Sequence, residues 1–169
     1  MESTRQKFDK VFSMVTDLIE KEKEEGIQPD EQSKILIFTN HIKFAERIAD
    51  RIFDETDNDI ETITSDKIQH DREVAVQDFT QGKFNILVAT YLAGRGLDIP
   101  RVDYVINFDL PEDEAEYVHR VGRTGRGGRK GSAYSFFSEN RNEELGPFLY
   151  KTLEQSQQKI PDFLLKYNK

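Results

Sequence analysis

Two kinds of apolar spacing alternate along the chain. Ile35-Leu36-Ile37-Phe38 and Ile86-Leu87-Val88-Ala89 are short unbroken apolar runs. A strand with one wet face alternates polar and apolar residues, so these runs predict strands covered on both faces, as in a parallel sheet. Ile60–Thr64, Val102–Phe108 (Val105 and Ile106 at its centre) and Ser132–Phe137 read as three further strands, the first of them more polar. Elsewhere the spacing changes to three and four. Phe8, Val11, Phe12, Val15, Leu18 and Ile19 make one stripe of a helix over Thr4–Glu24, which Gly26, Pro29 and Asp30 end. Phe44, Ile48 and Ile52 make a second stripe. Val74, Val76 and Phe79 mark a third helix, capped at Asp66 or a neighbour and ended by Gly82. Asp113–Val121 and Arg141–Leu153 read as two more, and beyond Pro161 the residues Phe163, Leu164 and Leu165 are expected to dock as a short turn.

Strands alternating with helices in this rhythm predict an α/β fold, an open, mostly parallel sheet with helices on both faces. The length, 169 residues, suits one domain. Residues 1–33 read as a helix and loop leading into it, and residues 34–169 as the domain with its tail. Ligands of such sheets sit outside the carboxyl ends of the strands. Thr39-Asn40, Thr64-Ser65, Thr90 to Asp98 and Asp109 to Pro111 follow strands directly and are expected on that edge.

Charge changes this picture in one place. Against 24 Lys and Arg stand 32 Asp and Glu, a net charge of -8, which in bulk is unfavourable for nucleic acid. Positive charge is instead concentrated: Arg120, Arg123, Arg126, Arg129 and Lys130 occur with no acid among them, while acids gather in Glu20–Glu25 and Asp54–Asp59. The absence of cysteine excludes disulfides, thiolate catalysis and cysteine zinc sites. The three histidines show no metal-ligand spacing, so no metal site is expected. No run approaches the roughly 18 apolar residues of a membrane span, and the charged start has no signal-peptide character. A cytoplasmic or nuclear protein is expected.

The stretch His119-Arg120-Val121-Gly122-Arg123-Thr124-Gly125-Arg126 carries the clearest chemistry. Guanidinium forks grip phosphate oxygens with paired, charge-assisted hydrogen bonds, and glycine lets backbone approach a ligand. The loop Thr90 to Asp98, with Arg95 between Gly94 and Gly96, reads either as the lining of a ligand groove or as an ordinary β–α turn. Gln69 to Arg72 reads either as an anion site at a helix start or as a capped surface helix. Asp113-Glu-Ala-Glu116 suits the first turn of a helix better than an ATPase box, since Leu110-Pro111 separate it from the strand. No GxxxxGK[ST] loop occurs anywhere, so nothing here cradles the phosphates of ATP or holds its magnesium.

Taken in order, Ile37-Phe38-Thr39, Gln69-x-x-Arg72, Thr90…Arg95-Gly-Leu-Asp98 and His119-Arg-x-Gly-Arg-x-Gly-Arg126 resemble the C-terminal RecA-like half of a DEAD-box RNA helicase, from about Lys34 to the end. The tail Gln158-Lys-Ile-Pro161-Asp-Phe-Leu164 is similar to the Vasa-like branch. The resemblance implies that Arg123 and Arg126 are arginine fingers for an ATP and magnesium held mainly by a partner N-terminal RecA-like domain. It implies that His119, as a catalytic residue, and Arg120, as an ATP-site residue, couple to that domain, and that Asp98 meets the ribose, with Gly96 also at the ATP site. Thr39, Asn40, Gln69, Arg72, Thr90, Arg95 and Gly96 would line an RNA track. A monomeric domain inactive alone is implied, and ribonucleoprotein (germ) granules as a setting. The Vasa-like similarity also implies a second role, docking of a LOTUS-domain partner. Thr64-Ser65, Gly94 and His41-Ile42 depart from the family's usual residues and bear on the RNA grip.

Overall fold

The computed structural model describes residues 3–125 and 131–168. Among them β1 (Ile35–Thr39), β2 (Ile60–Ile63), β3 (Ile86–Thr90), β4 (Tyr104–Asn107) and β5 (Ser132–Ser135) form one parallel sheet in the order β2-β3-β1-β4-β5. The helices are α1 (Thr4–Glu24), α2 (Ile42–Thr56), α3 (Gln69–Thr80), α4 (Tyr91–Gly94), α5 (Glu114–Val121), α6 (Glu139–Asn142) and α7 (Gly146–Gln155).

The unbroken apolar runs have two covered faces to serve. Ile35, Ile37, Ile86, Val88 and Ile106 pack with Phe8, Val11, Val15 and Ile19 of α1 and with Ala45, Ile48 and Ile52 of α2. Leu36, Phe38, Leu87, Ala89 and Val105 pack with Ala75, Val76 and Phe79 of α3. From β1 the chain walks outward to β2, returns to β3, and then crosses β1 to reach β4. The reversal of direction lays α2 and α3 on opposite faces, as right-handed crossovers require. The crossing opens a crevice at the carboxyl ends of β3, β1 and β4, where such folds bind ligands.

Several elements differ from their sequence expectation, each for a local reason. The first residue of α3 follows Ile68, not Asp66, whose carboxylate instead accepts from the Thr64 hydroxyl. β4 starts only at Tyr104, because the Val102 N–H is drawn to the Arg123 carbonyl at 2.9 Å. The helix expected over Arg141–Leu153 is broken into α6, a 3-10 turn (Glu143–Leu145) and α7, with Pro147 in the first turn of the restart. The break lets Gly146 pass beneath the Tyr167 ring, where a Cβ would come within 2.5 Å of a ring carbon. Of the tail residues expected to dock, only Leu164 is buried, together with Tyr167, on Leu110, Leu145, Leu149 and Tyr150; Phe163 and Leu165 remain exposed.

The helix that leads into the domain packs into the same core as the sheet. Phe8 of α1 is 3% exposed and meets the Phe44 and Phe108 rings at 5.4 and 4.7 Å. Arg47 of α2 lies over the same Phe8 ring. The Glu22 carboxylate accepts the Ser33 N–H, tying the far end of α1 to the entry of β1. The first helix is therefore part of the sheet's core. Phe8→Ala should lower the unfolding free energy by about 3–5 kcal/mol, the usual range for a buried phenylalanine. Urea unfolding of the two chains tests this, and a near-zero loss would show α1 to be dispensable.

Candidate functional site

α5 is set by its own sequence. The Asp113 carboxylate caps it by accepting the Glu116 N–H at 2.7 Å, Glu114 and Glu116 lie in the first turn, and His119 and Arg120 lie in the last. Both ends thus suit the helix dipole. Gly122 ends the helix, and the chain bends so that the Arg123 N–H returns to the Arg120 carbonyl.

Arg120 points inward, and its side chain has no exposure. One terminal nitrogen donates to Asn107 Oδ1 (3.2 Å) and to the Asp109 carbonyl (2.7 Å); the other donates to Asn40 Oδ1 (3.1 Å) and to Glu116 Oε1 (3.4 Å). The guanidinium carbon lies 5.0 Å from the Phe38 ring centre and 5.2 Å from that of Tyr91. Burial pushes the guanidinium's pKa down, while Glu116 and Asp109 push it back up. Arginine is basic enough to remain a cation through this.

Beside it Asp109 is also buried. Burial alone would raise its pKa, but the Asn40 N–H (2.9 Å), the Thr39 hydroxyl (2.7 Å) and the Lys7 ammonium (3.2 Å) together hold its carboxyl below the ordinary value. Lys7 belongs to α1, so the first helix reaches the sheet's carboxyl edge.

This polar floor underlies a groove of about 1150 Å3, lined among others by Asn40, His41, Lys43, Ser65, Thr90, Tyr91, Arg95, Glu112, Asp113 and Glu116. Of the residues expected to face RNA, the groove brings together Asn40, Thr90 and Arg95. Thr39 lies beneath it, with its hydroxyl engaged by Asp109. Gln69 and Arg72 are not in the lining: Gln69 bonds Glu73 on the exposed start of α3, and Arg72 donates to the Ala93 carbonyl. Gly96 takes a left-handed conformation (φ 82°) on the surface. Asp98, exposed, borders a shallow hollow against α3, formed with Glu73, Val76 and Gln77.

The described arginines of the cluster are divided in placement by the end of α5. Arg120 is buried with its guanidinium bonded inside the domain. Arg123, beyond the bend, is half-buried and donates to the Ile99 carbonyl (3.4 Å) and to His119 Nε2 (2.8 Å). His119 Nδ1 lies 3.3 Å from the Tyr91 hydroxyl. Arg126 falls outside the described residues. Among the described residues no three His, Cys, Asp or Glu side chains come together as a metal site. Sequence reasoning missed Lys7, Tyr91, Asn107 and the role of Asp109. A signal existed for two of them: Asn107 and Asp109 interrupt an apolar strand, and a buried polar side chain needs a partner.

The Asp109 carboxyl titrates lower in the folded chain than in the unfolded one, so the folded state binds fewer protons near that pKa. Its contribution to stability is complete above the unfolded value of about 3.9. It is lost as pH falls through the lower folded value. Asp109→Asn should cost about 1–3 kcal/mol near neutral pH. Urea unfolding near neutral pH and near pH ~3 should show the gap between the two chains narrowing in acid. A constant gap would show that the ionised carboxylate contributes nothing of its own.

The chain matches the family described as the helicase conserved C-terminal domain over residues 10–128. It is similar to the yeast DEAD-box splicing factor Prp28, with 30% identity and a TM-score of 0.81 over 99% of this chain and 35% of that one. It is similar to the RNA helicase Prp28 of Chaetomium thermophilum bound to ADP, with 29% identity and a TM-score of 0.75 over 97% of this chain and 38% of that one. It also resembles domain 2 of the DEAD-box helicase Mss116p bound to an RNA duplex, with 28% identity and a TM-score of 0.65 over 91% of this chain and 57% of that one. The chain thus spans little more than a third of the length of the two Prp28 structures. By fold and by sequence, it belongs to the helicase conserved C-terminal domain family, with the RecA-like α/β architecture of the DEAD-box members.

Proposed function

We propose that this chain is the second half of an ATP-dependent DEAD-box RNA helicase. Arg123 and Arg126 reach toward the γ-phosphate of an ATP held mainly, with its magnesium, by an N-terminal RecA-like domain. The observation that carries this reading is the split of the arginine cluster: Arg120 is locked under the sheet's edge, while Arg123 emerges past the end of α5 beside His119. A guanidinium in that place suits a nucleotide bound by another domain, because this chain has no phosphate loop of its own. The ADP in the Chaetomium Prp28 structure supports a nucleotide as the ligand. Asp98 and Gly96, on the loop after α4, stand for the ribose contact.

The groove would carry one stretch of RNA backbone through Asn40, Thr90 and Arg95, with Gln69 and Arg72 at the start of α3 as outlying contacts. The RNA duplex on Mss116p domain 2 supports this. So does the N-terminus of α2, which has no acid in its first turn and begins at groove-lining residues. Contacts to phosphate and 2′-hydroxyl need no base reading, so a few well-placed donors on the groove suffice on an acidic domain. Closure of the two domains over ATP and RNA would strain the bound strand, and hydrolysis would reset the cycle.

Alone the chain should hydrolyse no ATP. Joined to a DEAD-box N-terminal RecA-like domain, it should show ATPase activity stimulated by RNA and not by single-stranded DNA. Arg123→Ala and Arg126→Ala should each reduce kcat by about 10³–10⁵, the usual worth of an arginine finger, with ATP affinity largely kept. Full turnover in both variants would sink the finger assignment, and equal stimulation by DNA would sink the RNA assignment.

A second reading, docking of a LOTUS-domain partner on the Vasa-like model, is favoured by the outer face of α2. Lys43, Glu46, Asp50, Asp54 and Glu55 form a mixed-charge surface there beside Phe53, which is 49% exposed. Calorimetric titration with such a domain should show binding that Phe53→Asp weakens. Silence at high micromolar concentration would remove this reading.

A further inference from the structure

Tyr91 belongs at once to the groove and to the arginine cluster. It lines the groove next to Thr90 and Arg95. Its ring packs against Phe38, with centres 6.4 Å apart, and carries the Arg120 guanidinium 5.2 Å above it. It also meets the His119 ring edge to face. Its position is therefore set in part by a buried guanidinium, and its hydroxyl is aimed at His119 Nδ1, 3.3 Å away.

Donor chemistry fixes the direction of the hydrogen bonds. A guanidinium has only N–H donors, so the 2.8 Å contact between Arg123 and His119 requires a lone pair on Nε2. The imidazole is then neutral, with its proton on Nδ1. That proton is donated to the Tyr91 oxygen, so the hydroxyl's own hydrogen must point elsewhere. The groove is the polar space beside it.

We propose that Tyr91 is a positioning residue that couples occupancy of the groove to Arg123. Its hydroxyl donates to a phosphodiester oxygen of the bound RNA, and its oxygen thereby becomes a stronger acceptor for the His119 Nδ1–H. Electron density shifts toward Nε2, which holds the Arg123 guanidinium more firmly. Hydrogen bonds in such a chain reinforce one another. RNA in the groove thus orders the arginine that faces the nucleotide, and nothing larger than a hydroxyl rotation is required. The proposal rests on the reading of the groove as an RNA track and of Arg123 as the phosphate-facing arginine.

The test begins on the isolated chain. Long-range proton–nitrogen NMR of the imidazoles, with His119 assigned by the signal lost in His119→Gln, should find neutral His119 as the Nδ1–H tautomer. The Nε2–H tautomer would overturn the proposal. The second measurement uses the chain joined to a DEAD-box N-terminal domain, with a short RNA duplex as probe. Tyr91→Phe keeps the ring and its packing and removes only the hydroxyl. It should lower RNA-stimulated kcat by roughly three- to tenfold, the worth of one hydrogen bond, with the KM for ATP unchanged. In a His119→Gln background the same change should cost nothing further, since both act through one chain of bonds. Equal kcat in Tyr91→Phe, or losses that simply add, would overturn the coupling. An unmodified joined protein that ignores RNA would instead remove the RNA reading itself, and the groove end of the relay with it, while the tautomer measurement still decides the Tyr91–His119–Arg123 geometry.

Discussion

A cation without contact to water sits at the carboxyl edge of the sheet, and much of the domain is arranged to satisfy it. Taking a guanidinium out of water costs several kcal/mol unless its donors are met by well-placed acceptors. Arg120 has acceptors from four places: Asn40 after β1, Asn107 at the end of β4, the Asp109 carbonyl beyond it, and Glu116 one turn back on α5. Two rings, Phe38 and Tyr91, flank it. These groups come from four segments, so the bonded state exists only when β1, β4, α4 and α5 are in register. The rotation of α5 about its axis is set by this requirement, because its apolar contacts, such as Tyr117 on Phe148, leave Val118 exposed.

Asp109 extends the same network to the first helix. Its carbonyl serves Arg120, while its carboxylate serves Thr39, Asn40 and Lys7. Asn40 is thereby held from two sides, by its backbone N–H on Asp109 and by its side-chain oxygen on Arg120. A groove residue so constrained has little rotamer freedom left to lose when a ligand arrives, which is the physical content of preorganisation. The groove rim itself is mixed in sign, with Lys43 and Arg95 facing Glu112, Asp113 and Glu116. Placement of donors, and not bulk positive charge, is what this edge offers a polyanion.

The sheet was legible because burial on both faces leaves a distinctive trace. Ile35–Phe38 and Ile86–Ala89 contain no polar position, and the two faces of β1 and β3 explain why. The one-turn helix α4 and the break at Gly146 were not legible. A four-residue helix has too few positions to show a period, and the break is decided by the Tyr167 ring arriving from the end of the chain. The arginine cluster was legible as a concentration of positive charge but not in the placement of its members. Arg120 and Arg123 are the same residue type three apart, and neighbours at that spacing normally share a helix face. Only the point at which the helix ends separates them, and the glycines bracketed that point without locating it.

That separation puts two arginines of one short segment in different environments. A buried arginine is held by its acceptors, as the two terminal nitrogens of Arg120 are, whereas an arginine offered to a ligand must keep donors toward solvent. Gly122 ends α5 two residues after the first and one before the second, and the bend it introduces turns Arg123 toward the loop at Ile99 and out of the floor. His119, on the last helical turn, spans the two environments through Tyr91 on one side and Arg123 on the other. Because the Tyr91 ring also lies over Arg120, the reaching arginine takes its position from the buried one through a single aromatic side chain. The groove residue Tyr91 and the arginine beyond the end of α5 are thus joined by two hydrogen bonds through His119, a short path between the two surfaces.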